Sequence, residues 1–578
     1  MRRIVYIILI CLSNHSWSQQ HFLFGEVDTL TYAHRIGGSI DSIDLITGQN
    51  TSTLAGGGWN TRANSFDTDF FMKNAGGQQF FSFGEWKKLQ FSGLPHLGFA
   101  YSFGSKGMQY VQAEFQQAYR KKLMLNVFYE KNTSNGFLRN SDFDHNNVQV
   151  QLNKFGKAYS FDLKSSYESS RVSQNGGLQV DTLPELFDLQ FLPVNKSLAE
   201  TKTQRSRIEL TNYIDLLKDS TKAFGLFTNH QLKIKKFRYS EQDTLYGIYS
   251  VLNYDTLNTY DQHQWSEVAN GAGVFYSGKH LLVKAQPLIS YWNFQNLGRF
   301  NDTVELDLKS DISYSGRFFK LNQSLNYNLI GAQNEWSNKF DFGFRKGDFR
   351  LSISSNLSSL LPDYYQRYAQ GNNYFSIGNN FERQGRSNQK IAVGYELSKF
   401  SISGRFGFTQ LKNNYWFVDT MWRNDSLQSV SFAQIGLITA ASFGVLNIHF
   451  NYNYSICPES LTIIPVHQLF GRIYVKGNLF KAKKMKAYAG VDVAYLSSFQ
   501  RIGYYSQVAA FDLNNPDVTS EYTSALHFFT GFQIDEFKFF LRVENLNYFW
   551  SDRNLQQVRG YSIPSTQFRL GITWDFFN

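Results

Sequence analysis

Apolar and polar side chains alternate one by one through most of this 578-residue chain. Successive side chains of a β-strand point to opposite faces of the sheet, so a period of two is typical of strands with one apolar face. The last such segment, 568–576, places Phe, Leu, Ile, Trp and Phe on one face and Arg, Gly, Thr and Asp on the other. About 22 segments of this kind follow Leu97, within a range of about 16 to 22, and predict an all-β chain.

The connections between these segments also alternate, between short polar turns and long loops. Glycine recurs in the short turns, for example at Gly156, Gly278 and Gly347. The long loops are expected near 169–203, 237–263, 358–386, 412–428, 497–522 and 548–564. Short turns on one side and long loops on the other are typical of outer-membrane barrels, whose short turns face the periplasm.

Composition excludes two other classes of protein. Aromatic residues make up 17% of the chain and charged residues 18%, which is unlike a disordered protein. Mean hydropathy is −0.36, and no stretch after the N-terminus approaches the roughly 20 apolar residues of a spanning helix. A β-sandwich of this length would divide into domains, and the sequence contains no Pro- or Ser-rich linker to separate them.

These observations predict a transmembrane antiparallel up-and-down β-barrel, whose apolar face meets lipid and whose polar face encloses water. The charged residues predicted to face the lumen are Glu305, Asp307, Lys309, Arg472, Lys476, Arg542, Glu544 and Arg569.

The N-terminus has the pattern of a secretory signal peptide. Arg2 and Arg3 precede an apolar stretch at 4–12, and small residues precede a predicted cut after Ser18. We therefore predict a signal peptide at 1–18, an irregular periplasmic or plug segment at 19–77 and the barrel at 78–578. The signal implies export to the outer membrane of a Gram-negative cell. Its removal leaves Cys457 as the single cysteine, so we expect no disulfide framework.

Several motifs, in their order along the chain, resemble the putative porin family of Bacteroidota outer membranes. They are LGFAY at 97–101, SNGF at 134–137, IPVH at 464–467, GVDVAY at 490–495, FLRVENL at 540–546 and FRLGITW at 568–574. The resemblance covers most of the chain. It implies an outer-membrane β-barrel that conducts solutes, and it supplies no catalytic residues.

Few residue clusters suggest chemistry. Asp142, Asp144 and Asn146 alternate in a predicted outer loop and could supply oxygen ligands to Ca²⁺, although a solvated polar loop explains them as well. Asp144 with His145 is a weak match to the Asp and His of barrel proteases. His449 and His527 lie on polar strand faces and are expected in the lumen, as hydrogen-bonding or titrating groups. We expect no enzymatic activity, no cofactor and no bound metal.

One predicted loop, 362–375, concentrates tyrosines at 364, 365, 368 and 374 around Arg367. Such rings could stack on planar solutes or sugars near a pore mouth. Packing among loops, or an aromatic girdle, would explain the same pattern.

The sequence thus favours an outer-membrane porin that gives passive or gated passage to small hydrophilic solutes. The net charge of +10 suggests a mild preference for anions. The alternative is a non-conducting barrel that docks partners in a secretion or assembly complex. The expected partners are outer-membrane lipids, the solutes and other envelope proteins, whereas export argues against nucleic acid.

Overall fold

The computed structural model describes most of the chain after residue 94 and a few residues before it. The described residues are 28–29, 83–84, 86–87, 90–91, 94–119, 122–179, 188–219, 221–242, 249–296, 299–332, 334–368, 370–375, 381–418, 420–425, 429–458, 463–501, 503–512, 519–520, 523–550, 556–562 and 564–577. The predicted signal peptide lies outside the described residues, as does nearly all of the segment 19–77, and both stay predictions.

In the described part of the chain, twenty-two strands form one closed barrel, numbered here β1 to β22 in chain order. The first eleven are β1 (His96–Gly104), β2 (Met108–Tyr119), β3 (Leu123–Ser134), β4 (Phe143–Lys154), β5 (Tyr159–Gln174), β6 (Ala199–Lys218), β7 (Ala223–Glu241), β8 (Thr259–Ser277), β9 (Leu281–Asn296), β10 (Arg299–Ser315) and β11 (Phe319–Ile330). The others are β12 (Trp336–Lys346), β13 (Phe349–Leu360), β14 (Gln384–Glu396), β15 (Phe400–Lys412), β16 (Val430–Phe443), β17 (Leu446–Ile456), β18 (His467–Asn478), β19 (Met485–Leu496), β20 (Thr523–Ile534), β21 (Phe537–Glu544) and β22 (Gln567–Phe577).

Each strand pairs antiparallel with the next, and the last closes on the first. The β22–β1 register runs from Arg569 opposite Gly104 to Phe577 opposite His96. Closure leaves no strand edge unpaired, as a β-structure in lipid requires. The predicted all-β antiparallel barrel of about 22 strands is therefore confirmed.

The two ends of the barrel differ as the turns and loops predicted. At the end where β1 begins and β22 ends, connections are as short as 347–348 and no longer than 479–484. Most connections at the other end are long, such as 175–198, 361–383 and 497–522. We call these the turn end and the loop end.

Strands β5 to β8 extend further into the loop end than predicted. The expected loops 169–203 and 237–263 contain strand residues up to Gln174 and Glu241, and again from Ala199 and Thr259. Near these ends both faces carry polar side chains, so the apolar alternation fades. The backbone ladder nevertheless continues, because strand pairing needs hydrogen bonds and not an apolar face.

The loops contain short elements of their own. They are helix α1 (Tyr364–Tyr368), a sheet of Gln370–Gly371, Tyr374–Phe375, Met421–Asp425 and Asn414–Val418, the pairs Phe499–Gln500 with Thr519–Ser520, Gly503–Tyr505 with Ala510–Asp512 and Gln556–Val558 with Tyr561–Ser562, and the 3₁₀ turns Ser105–Gly107, Leu189–Phe191 and Leu546–Phe549. Asp28–Thr29 pairs in parallel with Gln90–Phe91. Among the described residues, no helix is long and apolar enough to span a membrane.

Burial distinguishes the two faces of the wall. On β22 the Arg569 side chain is 2% exposed, whereas its neighbour Phe568 is 60% exposed. On β10 Glu305 is buried, whereas Val304 and Leu308 are exposed. A closed sheet buries its concave inner face, so the polar side chains lie inside and the apolar ones outside. This is the reverse of a soluble sandwich, which buries its apolar faces against each other.

Candidate functional site: the barrel interior and its two ends

Four of the eight predicted lumen residues form one chain of ion pairs on the inner face of β18 to β22. Arg472 Nε lies 2.6 Å from Asp492 Oδ1, and Arg542 Nη1 lies 2.8 Å from Asp492 Oδ2. Glu544 then links Arg542, at 3.1 Å, to Arg569, at 2.9 Å. We call these five residues the ion ladder. Each of the three guanidinium groups contacts at least one of the two carboxylates, as buried charges require.

Asp492 occupies the centre of the ion ladder but was missing from the predicted set. It is fully buried and lies directly opposite Arg472 in the β18–β19 register. The alternation on β19 already placed it on the polar face. What the sequence could not supply is the register that brings it opposite an arginine.

The other four predicted residues do not join the ladder. On β10, Glu305 accepts a hydrogen bond from Tyr364 Oη at 3.0 Å, and Asp307 accepts one from Asn328 Nδ2 at 2.9 Å. Lys309 is half-buried on the same face. Lys476 Nζ on β18 lies 5.7 Å from the centre of the Tyr474 ring. That all eight residues border a solute path stays a proposal.

The described residues just before the barrel lie against its inner face. The Gly84 amide donates to Glu168 Oε1 at 3.0 Å, and Arg207 Nη2 donates to the Gly84 carbonyl at 2.5 Å. The Arg207 guanidinium lies 3.7 Å from the centre of the Trp86 ring. Because Glu168 and Arg207 belong to β5 and β6, the chain approaches β1 from inside the barrel.

Two aromatic clusters cover parts of the inner face near the turn end. The first lies on β6 to β9 and contains Tyr213, Ala223, Phe227, Phe275 and Leu282. The second lies on β18 to β21 and contains Tyr474, Tyr488, Phe529 and Phe540. In both clusters glycines lie beneath the rings. A Cβ added at Gly273 would lie 2.9 Å from the Phe227 ring, so a ring occupies the space that a side chain would take.

Between the two clusters, the residues that the structure describes leave space beside inward glycines of β12 and β15. Of the described residues, none would lie within 4 Å of a Cβ added at Gly343, and a Cβ at Gly407 would meet one backbone oxygen, at 4.0 Å. A cavity with a volume of about 590 Å³ lies here at the turn end. The charged residues that line it are Arg317, Lys320, Arg345, Arg350 and Glu396. We call this cavity the basic vestibule.

Long loops cross the opposite end of the barrel. Lys196, in the loop after β5, donates to Tyr239 Oη at 2.8 Å and to Ser506 Oγ at 2.9 Å, and also contacts the Tyr249 hydroxyl. Glu241 lies 3.6 Å from the same ammonium group. Burial, and then the Glu241 carboxylate, raises the pKa of Tyr249 above its usual value. Ser506 belongs to the loop between β19 and β20, so this loop reaches across to β7.

Two more loops join this arrangement, which we call the loop layer. Tyr374 Oη lies 2.6 Å from His263 Nε2 on β8, and the Asn372 amide donates to Asp261 Oδ1 at 2.9 Å. Tyr374 also packs on Phe417 from the loop 413–429, with ring centres 6.0 Å apart. These loops leave the wall between β13 and β16, far around the barrel from β8. The loop layer therefore extends over the opening of the barrel at the loop end.

The tyrosines of the loop 362–375 fall into two groups, one packed among loops and one lining a cavity. Tyr365 and Tyr374 are buried within the loop layer. Tyr364, Arg367 and Tyr368 instead line a cavity of about 310 Å³ beside Glu305. The Arg367 guanidinium lies 4.3 Å from the centre of the Tyr364 ring. Burial and the nearby Glu305 carboxylate raise the pKa of Tyr364, so its hydroxyl keeps its proton.

The weaker candidates for chemistry have local partners. Asp144 Oδ2 lies 3.3 Å from Lys131 Nζ, and Asp144 Oδ1 accepts a hydrogen bond from Asn146 Nδ2 at 2.5 Å. His145 follows Asp144 within β4, so the two side chains point to opposite faces and cannot act together. His527 Nδ1 accepts the Asn545 amide at 3.0 Å. Within the described ranges, no three His, Cys, Asp or Glu residues are placed to hold a metal ion.

A closed barrel of 22 strands, with a polar interior and an apolar exterior, belongs to the class of outer-membrane transport barrels. Comparison with known families agrees with this. The family described as putative porin matches residues 93–578, and the chain belongs to that family. No curated protein matches the sequence significantly.

Solved structures with a similar fold include several iron-uptake proteins. The FrpB iron transporter from Neisseria meningitidis (F3-3 variant) has a TM-score of 0.57 at 12% identity, over 84% of this chain and 82% of that one. The siderophore receptor PirA from Acinetobacter baumannii has a TM-score of 0.59 at 9% identity, over 84% and 81%. The ferric-catecholate import receptor Fiu from E. coli K12 has 0.56 at 10%, over 85% and 83%. Identities this low show a shared fold alone.

Proposed function

We propose that this protein gives gated passage to small hydrophilic solutes across the outer membrane, along the inner wall from β11 to β16. The observation that carries the proposal is the open space beside Gly343 and Gly407 on a wall whose inward side chains are polar. On β6 to β9 and on β18 to β22, aromatic rings and ion pairs occupy the corresponding space.

The solvent preference of the two faces supports a water-filled path. The outer face exposes apolar side chains such as Ile391, Val393 and Phe406, which are favourable only against lipid. On the inner face of the same strands lie Lys390 and Arg405. A charged side chain there is stable in contact with water and costly in a dry interior.

The loop layer supplies the gate of this proposal. Lys196 and Glu241 are a buried pair that joins three loops to β7. A buried charge is expensive to leave without its partner, so the pair holds the loops in this arrangement. Passage then requires that the loop layer moves aside, at least in part.

Planar-bilayer recording with the purified full-length protein tests the proposal. We expect stepwise openings, and we expect Lys196→Met to increase the fraction of time spent open, because it removes the cation that joins the loops. Lys279→Met, in the turn between β8 and β9, is the matched control and should leave gating unchanged. Heat-modified mobility in electrophoresis verifies that each variant is folded.

A bilayer that stays silent with wild type and with Lys196→Met would contradict passage of solutes. A stoichiometric envelope partner recovered from mild detergent would then favour the docking function. Equal gating in the Lys196→Met and Lys279→Met variants would contradict the gating role of the loop layer but not the passage of solutes.

A further inference from the structure

The basic vestibule has an excess of positive charge at the exit of the proposed path. Among the residues that the structure describes, it is lined by Arg317, Lys320, Arg345 and Arg350, against one acidic lining residue, Glu396. Glu396 pairs with the guanidinium of Arg350. Four cations and one carboxylate leave a formal excess of three positive charges.

Strand register concentrates this charge instead of dispersing it. Arg345 and Arg350 lie directly opposite each other on β12 and β13. Like charges in such a cross-strand pair repel, so the fold gains nothing from this pairing. Small residues surround the two arginines, among them Gly343 and Ser352, and leave the guanidinium groups room to meet a ligand.

Basic side chains continue on the same face toward the loop end. Lys390 on β14 lies opposite Gly407 and Ser354, and Arg405 on β15 lies opposite Ala392 and Gly436. Arg405 Nη2 donates to the amide oxygens of Asn451 and Asn453, at 2.8 Å each. Both of these amides are neutral, and the two contacts hold the arginine in place.

The wall that carries the ion ladder also has three arginines, but their partners differ from those in the vestibule. In the ladder, each of the three guanidinium groups donates to Asp492 or Glu544, at distances of 3.1 Å or less. The ladder arginines all contact protein carboxylates, whereas the described lining of the vestibule contains four cations and one carboxylate.

From this charge distribution we propose that the vestibule binds small anions that carry carboxylate or phosphate groups, and that such anions are the solutes of the channel. This inference rests on the proposed function and names its solute class. A cleft lined by one sign of charge raises the local concentration of the opposite ion. Planar guanidinium groups bind carboxylate and phosphate oxygens in pairs.

Its location favours a small solute over a folded partner. The lining residues belong mainly to the concave inner face of β11 to β16, not to the tips of the turns. A volume of about 590 Å³ is in the range of small-molecule sites.

The first measurement is the reversal potential of the full-length protein in a KCl gradient centred near 0.1 M. We expect chloride to be more permeant than potassium. The double variant Arg345→Gln with Arg350→Gln should lower the chloride-to-potassium permeability ratio by about twofold or more. The matched control, Lys279→Gln with Lys483→Gln, removes the same charge from turns at the same end and should leave the ratio unchanged. Near 1 M salt the preference should fade, because the screening length falls to about 3 Å.

The second measurement needs no current. Pyrophosphate added to detergent-solubilised protein should show broadened ³¹P resonances with wild type and with the turn control, and narrower ones with the double arginine variant. Cation selectivity, or broadening that the two double variants reduce equally, would overturn the anion inference. A silent bilayer would contradict the proposed function, and the pyrophosphate result would then decide the inference by itself.

Discussion

Two stretches of the inner wall at the turn end differ in packing, although both sequences alternate and both place glycines on the inner face. Strands β7 and β8 place glycines on the inner face, and the rings of Phe227 and Phe275 lie over them. Strands β12 and β15 also place glycines there, yet no described residue lies over Gly343 and one backbone oxygen lies near Gly407. The first stretch is a packed wall and the second an open one.

The difference shows that an inward glycine does not by itself determine whether the space above it is filled. Beside an aromatic residue on the neighbouring strand it makes room for the ring. Beside polar neighbours, such as Lys320 and Ser352 on either side of Gly343, it leaves open space. The same holds for carboxylates, because Asp492 is fully buried between two arginines, whereas the Asp341 side chain is 42% exposed. The following substitutions compare the two kinds of wall.

The largest effect is expected from removing a ring of the packed wall. Phe275 is 1% exposed and meets the Tyr213 ring edge-on at 5.6 Å. Phe275→Ala should lower the free energy of unfolding by about 3–5 kcal/mol. Phe318→Ala, which removes a half-exposed ring at the vestibule, should cost below about 1 kcal/mol. Urea unfolding in lipid vesicles measures both, and equal losses would refute the distinction.

The next effect compares two aspartates. Asp492→Asn removes the charge that two buried arginines share, and should cost about 3 kcal/mol. Asp341→Asn is the matched change on the open wall. Asp341 accepts from Ser354 Oγ at 2.7 Å and lies 3.9 Å from Lys339, contacts that water can replace. Asp341→Asn should therefore change the free energy of unfolding by less than about 0.5 kcal/mol. A costly Asp341→Asn would show that the open wall is also held by ion pairs.

A third comparison adds bulk at the two kinds of glycine. Gly273→Val would place a Cβ 2.9 Å from the Phe227 ring and 2.2 Å from the Ala285 carbonyl oxygen, and should cost about 1–3 kcal/mol. Gly407→Val meets no such contact and should leave stability nearly unchanged while lowering single-channel conductance. Unchanged conductance would place the solute path elsewhere.

The smallest effect concerns the paired arginines of the vestibule. Arg345→Gln relieves the repulsion with Arg350 across β12 and β13, and should raise the free energy of unfolding by about 0.2–1 kcal/mol at low salt. The gain should vanish in high salt, where the charges are screened. A loss of stability would mean that Arg345 serves the fold and not a ligand.

Most of the fold could be predicted from local sequence. The alternation at 568–576 is sufficient to place Arg569 and Phe568 on opposite faces, as the structure shows. The candidate site was predictable only in part. Arg472 and Arg542 were recognised individually, but Asp492 between them was not, because its role depends on register across β18 to β21.

Contacts between distant segments could not be predicted from local sequence. Lys196 and Ser506 are 310 positions apart, and no period or motif links them. The same is true of Gly84 and Glu168 on the inner face. These contacts depend on the closed barrel, which brings segments that are far apart in sequence close together.

The sequence alone determined which side chains meet lipid and which face inward, because a strand has a strict period of two and a membrane has no water to satisfy a misplaced polar group. Only the tertiary structure decided which part of the inner face is filled and which is open. That depends on what lies across a strand pair, on closure of β22 against β1, and on loops that return over the barrel. None of these is a property of neighbouring residues.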